Sequence, residues 1–388
     1  MEVSCIYCPS ESFEKGKGSV EHVIPSSLGG RKSSRNICCV SCNNRLGKEV
    51  DEPLGVALSF FSTMLDITTG RNKPAPVQKM IAEHKGKQFD IHSGGLIRYS
   101  KNDVEINEVD GKAEIAISAN SEEEVLKILS AVLKKYDKTV DDFTSIKAKS
   151  KKSYIPKVHQ RLALGGEKQL RSVAKTALTY LATLVSPERL RTGDFQSVIQ
   201  YINEEGIENN FVSFSTDSFP SLGQEKSEIN HCLIVAASDQ HKKVNAVLEL
   251  YGNIKFFITL TNKWSGPSIS KAYTINPVTK ESQETTSSHS VEIFNLSHEN
   301  SVDYKKFTQA ISNMIQCFQD RQVNELISQI TDEAIEKHII GKGDYITEEM
   351  VSSVASEVAL KFTRLIHRID SEEDIDLAEL CKQRQSDA

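Results

Sequence analysis

Apolar and polar residues alternate between positions 88 and 118: Phe89 and Ile91, then Leu96, Ile97 and Tyr99, then Val104 and Ile106, then Ala113, Ile115 and Ile117. A period of two predicts strands that turn one face to a core, and Asp110-Gly111 supplies the tight turn of a hairpin. Ser121-Glu122-Glu123-Glu124 then has the form of a capping box, and Val125, Ile128, Leu129, Val132 and Leu133 follow at helical spacing. Strand patterns return at 211–214, 232–236, 244–251, 254–260 and 272–275, with Gly252-Asn253 as a turn. Helical patterns flank this region. Residues 53–67 are dense in apolar side chains (Leu54, Leu58, Phe61, Leu65), and after 301 the repeats run through Phe307, Ile311, Ile315 and Phe318, then Val351, Val354, Val358, Phe362 and Leu365. Residues 370–388 are expected to be a short helix and a frayed tail.

These elements predict an α+β fold class, with a central, mainly antiparallel α+β domain and C-terminal helices. A chain of 388 residues implies two or three domains. Pro74 and Pro76 mark 71–77 as a connector, which divides the chain into an N-terminal domain at 1–70, a target-recognition or sensor domain at 71–300 and a helical cap or oligomerisation region at 301–388. The C-terminal helices are a candidate homo-oligomer interface.

Composition narrows the function. Hydrophobic residues at 38% and charged residues at 26% are ordinary for a soluble chain, and no apolar run approaches a membrane span, so a cytoplasmic protein without a membrane partner is expected. The net charge of −6 excludes a chain that is basic throughout, which confines nucleic-acid contact to local patches. One patch carries Lys149, Lys151 and Lys152 and leads through Gly165-Gly166 into a helix with Lys168, Arg171, Ser172 and Lys175 on one face. It reads as a track for a nucleic-acid backbone, as an anion pocket for a small nucleotide ligand, or as a solvated linker with an ordinary amphipathic helix. Trp264 is a loop aromatic that stacks on a base or closes a core. His231, His241, His289 and His298 lack ligand spacing and read as surface or packing residues.

The first fifty residues carry the chemistry. Two C-x-x-C knuckles, Cys5/Cys8 and Cys39/Cys42, bracket the segment Glu21-His22-Val23-Ile24-Pro25. Thiolates two residues apart on a tight turn reach one tetrahedral ion, and two such pairs close a four-sulfur structural zinc site. The intervening stretch, 28–35, is too polar to hold itself by burial, so metal must supply that stability. A disulfide framework is the other reading. Against it stand the missing secretory signal and the scattered thiols Cys232, Cys317 and Cys381. Cys38 reads as a small buried neighbour or a substitute ligand.

The knuckles, the acidic residue directly before a histidine, the apolar-Pro turn and the Cys42-Asn43 pair together resemble the HNH (ββα-metal) endonucleases, over about residues 5–54. The resemblance is closest to the four-cysteine zinc variant found in a phage Holliday-junction resolvase. It implies a zinc-stabilised ββα-metal module in which Glu21 and Asn43 hold a catalytic divalent ion, Mg or another, and His22 is the general base. Asn36 would take the motif's middle Asn position and hold the loop or the histidine in place. A Glu stands here where Asp is common, and Asn36 lies nearer the second knuckle than is usual. The resemblance also implies a DNA partner, with the motif helix placing Arg45 and Lys48 beside the backbone and Arg31, Lys32 and Arg35 gripping flanking phosphates.

The expected function is a metal-dependent HNH endonuclease that hydrolyses DNA phosphodiester bonds, of the restriction or antiviral-defence type, whose C-terminal part selects the target or gates activity. Two other readings stand beside it: a catalytically silent zinc module that binds nucleic acid, and a nuclease activated by a nucleotide second messenger bound in the central domain.

Overall fold

The computed structural model describes residues 2–9, 11–70, 72–109, 112–138, 148–152, 154, 162–215, 229–298, 303–342 and 345–375. The N-terminal part begins with a ribbon of β1 (Glu2–Ser4) and β2 (Ser12–Glu14) that carries the first knuckle between its strands. A second ribbon follows, β3 (Glu21–His22) with β4 (Ser33–Ser34), in register Glu21↔Ser34 and His22↔Ser33. Its connection turns at Gly29, where φ is +85°, and then passes so close to Ile24 that a Cβ at Gly30 would lie 1.9 Å from the Ile24 carbonyl oxygen. Only glycine satisfies both positions.

Helix α1 (Val40–Leu46) starts at Cys39, whose Sγ accepts from the Cys42 N–H at 3.3 Å, so the second knuckle is also a helix cap. The helical run widens into one π-turn over Gly47–Asp51 and continues as α2 (Glu52–Ala57) and α3 (Ser59–Met64).

Strands β5 (Gln78–His84), β6 (Lys87–His92) and β7 (Leu96–Tyr99) form a three-stranded sheet, and β8 (Asp103–Val109) pairs antiparallel with β9 (Lys112–Ser118). The expected turn at Asp110-Gly111 lies outside the described residues. Helix α4 (Glu122–Leu133) is capped as expected by Ser121, whose hydroxyl accepts from the Glu124 N–H, and it packs Leu129 and Leu133 on Ile115 and Ile117. The short β10 (Ala148–Lys152) follows.

Helix α5 (Glu167–Leu184) is the centre of the next segment and is buried along most of its length. After α6 (Pro187–Leu190) and α7 (Gln196–Asn203) comes a six-stranded antiparallel sheet: β11 (Val212–Phe214), β12 (His231–Ser238), β13 (Lys243–Leu250), β14 (Ile254–Thr261), β15 (Ile269–Ile275) and β16 (Ser282–Thr286), in the order β11-β14-β13-β12-β15-β16. Its strands coincide with the predicted ones, except that β16, polar and exposed, carries no apolar alternation. The short α8 (Ser290–Asn295) packs on the outer face. The chain ends, among the described residues, with α9 (Tyr304–His338), α10 (Glu348–His367) and β17 (Ser371–Ile375). Residues 371–375 are therefore a strand and not the start of a helix. They pair with β10 in the register Lys149↔Asp374 and Lys151↔Glu372, so a basic strand lies along an acidic one.

The chain divides into two compact units, and both are discontinuous. One comprises residues 1–78, 92–96 and 161–319; the other comprises 79–91, 97–160 and 320–388. In the first unit the N-terminal module shares one continuous core with α5 and the inner face of the sheet, where Leu28, Leu46, Leu54 and Phe61 pack in the same cluster as Leu178, Leu248 and Phe256. Burial of this common apolar surface joins segments that the proline-rich connector separates in sequence.

Candidate active site of the N-terminal module

The four knuckle sulfurs, of Cys5, Cys8, Cys39 and Cys42, all lie within 4.8 Å of one another. Burial pushes the Cys39 thiol well up and the Cys42 thiol to about 12, so the neutral thiol is the stable form without a cation. This donor set fits structural zinc, which binds thiolates and would hold the two knuckles together.

Beside this cluster lies a cleft of about 380 Å³ whose lining includes Glu21, His22, Asn43, Asp51 and Glu52. The ββα arrangement explains the convergence. Strand β3 presents Glu21 inward and His22, half-buried, toward the cleft, while the first turn of α1 faces the same strand. Asn43 fixes that approach: its amide nitrogen donates to the Ser19 hydroxyl and, at 2.9 Å, to the Val20 carbonyl oxygen. His22 Nε2 packs against Gly70, where a Cβ would stand 2.9 Å from it. Gly70 is held by its own N–H donating to Ser26 O at 3.0 Å.

Glu21 is 1% exposed, and both carboxylate oxygens are engaged. Oε1 accepts from the Lys175 ammonium, and Oε2 accepts from the Cys38 thiol at 3.5 Å. Lys175, itself buried, also donates to Asp51 Oδ2 at 2.8 Å, and Asp51 Oδ1 accepts from the Ser172 hydroxyl at 3.2 Å. Burial raises the Glu21 carboxyl above its ordinary value, with the Lys175 ammonium pulling it back. Burial works against the ammonium too, but the Asp51 and Glu21 charges outweigh it and hold Lys175 well above its ordinary range. The cleft lining carries three carboxylates and neither lysine nor arginine, so a phosphate entering it meets repulsion unless a cation intervenes. Carboxylate and amide oxygens are the donors that a hard divalent ion takes: Asn43, Asp51 and Glu52 line the cleft for one, and Glu21, buried with both oxygens engaged, would have to exchange its Cys38 or Lys175 contact to join them.

The structure brings Glu21, His22 and Asn43 to one cleft and places Asn36 outside it. The Asn36 Oδ1 accepts from the Gly16 N–H at 2.6 Å, which fastens the β2 turn to the second knuckle. The cations singled out in the sequence fare differently. Arg31 is committed to Thr68, Gly70 and Asn72, Lys32 to Glu284, and Arg45 to Asn203 and Glu49. Arg35 is exposed with one contact, to Gly18 O at 3.2 Å, and Lys48 is exposed on the motif helix. Arg171 is a correction. It is fully buried, and its guanidinium donates twice to Ile202 O, at 3.1 and 2.8 Å, so it cannot meet a phosphate; with Lys175 also buried, this face of α5 beyond the exposed Lys168 is an interior seam and not a basic stripe. Lys149 and Lys151 lie in β10 opposite acidic residues. Trp264 is also interior, fully buried with Nε1 donating to Pro267 O at 3.1 Å, so it closes a core instead of stacking on a base. His231 is a packing residue as expected.

Sequence reasoning missed Asp51, Lys175 and Gly70. Asp51 offered the one signal, an acid two turns beyond Asn43 on the same helical run.

Residues 5–59 match the family described as HNH endonuclease. No curated protein and no solved structure matches the chain. The matched segment, with its four-cysteine cluster, fits an HNH module of the zinc variant, and the match supports a nuclease of the HNH type over that segment. Among the described residues no helix is long and apolar enough to cross a membrane.

Proposed function

We propose that the protein is a divalent-metal-dependent endonuclease that hydrolyses phosphodiester bonds in DNA, with the cleft at Glu21, His22 and Asn43 as its active site. The observation that carries this reading is the convergence of an imidazole, a carboxylate and an amide on one acidic cleft beside the four-cysteine cluster. A zinc held by four thiolates has no open position, so the activating ion must be a second one, Mg or another oxygen-seeking cation, with Glu21 and Asn43 as its protein ligands. When bound, that ion offsets the charge that develops on the scissile phosphate.

The remaining work falls to the chain's own residues. His22, whose ordinary pKa lies near neutrality, takes the proton from the attacking water at a ring nitrogen. Gly70, itself held by Ser26 O, backs the ring at Nε2. Arg35 and Lys48, both exposed, give affinity to the DNA backbone without reading sequence. The rest of the chain, which carries no second coherent set of catalytic groups among its described residues, selects the target or gates cleavage, as in restriction or antiviral effectors. This last step rests on organisation alone.

Incubating the purified protein with plasmid DNA and Mg²⁺ tests the reading. Nicking or linearisation that stops when His22 is replaced by Ala supports it, and no cleavage of any DNA with any divalent ion overturns it.

A further inference from the structure

The cleft has a component that neither the HNH motif nor the proposed mechanism uses. Lys175 comes from α5, far outside the matched segment, and places one ammonium within hydrogen-bond reach of both Glu21 and Asp51. Its side chain is 3% exposed, and Thr179, one turn further along the same helix, donates to or accepts from Tyr7 Oη at 3.0 Å, so α5 is fastened to the module on both sides of the lysine.

We propose that Lys175 is a positioning residue of the nuclease site, holding Glu21 and Asp51 side by side so that Asp51 serves as a third oxygen donor beside Glu21 and Asn43. The inference rests on the nuclease reading given above and extends it to a residue contributed by α5.

Three observations carry it. A carboxylate as deeply buried as Glu21 loses its charge unless an opposite charge accompanies it, and Lys175 is the cation in contact with it. The same ammonium holds one oxygen of Asp51 while Ser172 holds the other, and the carboxylate, its side chain 21% exposed, lines the cleft that His22 and Asn43 also line. Asp51 ends the π-turn, and such a turn inside a helix re-aims a side chain that regular helix would direct elsewhere. Two carboxylates and one lysine leave a net negative site, which still attracts a divalent ion with the lysine in place.

The test uses the full chain with its zinc and no DNA. Free Mn²⁺ is followed by electron paramagnetic resonance as it is titrated into wild type, Asp51→Asn, Lys175→Met and Asn43→Ala, and cleavage is measured separately across Mg²⁺ concentrations. Asp51→Asn is expected to weaken Mn²⁺ binding by about 10-fold or more, with zinc content unchanged and the melting temperature lowered less than in Lys175→Met, because Glu21 still accompanies the ammonium. Lys175→Met is expected to weaken it similarly. In both, saturating Mg²⁺ should restore turnover and KM for DNA should stay as in wild type, a split that a merely structural defect would not produce. Wild-type Mn²⁺ affinity in Asp51→Asn overturns the proposal, as does tighter binding in Lys175→Met, which would make the ammonium a competitor for the ion's place. If Lys175→Met does not fold, the Asp51→Asn titration decides alone. A wild-type protein that cleaves DNA and needs Asn43 but not Asp51 overturns this inference and leaves the nuclease reading standing; a wild type that neither binds Mn²⁺ nor cleaves overturns both.

Discussion

The Lys175 ammonium is paired with the Glu21 carboxylate, although 154 positions of chain separate the two residues. The pair places a helix from the second quarter of the sequence at the heart of a module that occupies the first sixth. Removing the ammonium leaves Glu21 buried without an opposite charge and takes the cation from Asp51 as well. Lys175→Met should therefore destabilise the protein by about 3–5 kcal/mol, the usual cost of breaking a buried ion pair from one side. Urea denaturation checks this, and Lys168→Met on the same helix, where the lysine is exposed and paired with Glu205, should cost less than about 1 kcal/mol.

The four-cysteine cluster predicts one tightly held zinc per chain. Elemental analysis should find it, and Cys39→Ser should lose the metal together with the cap on α1, because the same sulfur accepts from the Cys42 N–H. A Cys39→Ser protein that keeps its zinc and its melting temperature would contradict the assignment.

Gly70 stands against the proposed base. Alanine there would place a methyl group 2.9 Å from His22 Nε2, 2.9 Å from Ser26 Cβ and 3.0 Å from Gly30 O, and of these the imidazole is the group freest to move. Gly70→Ala should lower kcat by about 10–100-fold, the scale set by misplacing a catalytic group by an ångström, with zinc content and KM for DNA little changed. Steady-state kinetics decide it.

His231 joins the central sheet to the module and gives the fold a pH dependence. Its Nε2–H donates to Leu28 O at 2.9 Å and its Nδ1 accepts from the Tyr251 N–H at 3.1 Å, so the ring is neutral with the proton on Nε2. Burial lowers its pKa from the ordinary 6.5 to about 4. The unfolded chain takes up a proton as pH falls below 6.5 while the folded chain refuses it until about 4, so this contribution is present above 6.5, is lost between those values and then levels off. The loss is on the order of 3 kcal/mol. His231→Gln, which keeps a donor and does not titrate, should show a flatter stability profile across that window in denaturation measured at each pH.

What could be read in the sequence was what is local. Chelation by C-x-x-C pairs acts across a few residues, and the Glu21-His22 and Cys42-Asn43 neighbours sit at the ends of the elements that bring them together, so the module was legible before any coordinates. The strands at 232–236, 244–251 and 254–260 were legible because short apolar runs rich in β-branched residues, bounded by polar turns, are the pattern of strands buried on both faces. The fate of Arg171 and Lys175 was not. Polar residues on one face of a helix signal solvent unless a partner is known, and their partners, Ile202 and the two acids at 21 and 51, lie 31 to 154 positions away. Strand β17 escaped for the opposite reason: Ser371–Ile375 is a charged run that pairs with Lys-bearing β10, and such a ribbon has no apolar face to impose a period. The shared core of residues 1–78 and 161–319 was hidden because periodicity shows that a face is buried and not what buries it.

The central claim is that His22 activates water at a cleft that requires a divalent ion distinct from the zinc. It is tested most directly by cleavage of plasmid DNA by wild type and His22→Ala, each with zinc verified, in the presence of Mg²⁺ and after EDTA treatment that leaves the zinc in place. The account predicts that wild type cleaves only with the added ion and that His22→Ala, folded and zinc-loaded, is slower by roughly 10²–10⁴-fold. Full activity in His22→Ala, or undiminished wild-type cleavage after EDTA, would contradict it.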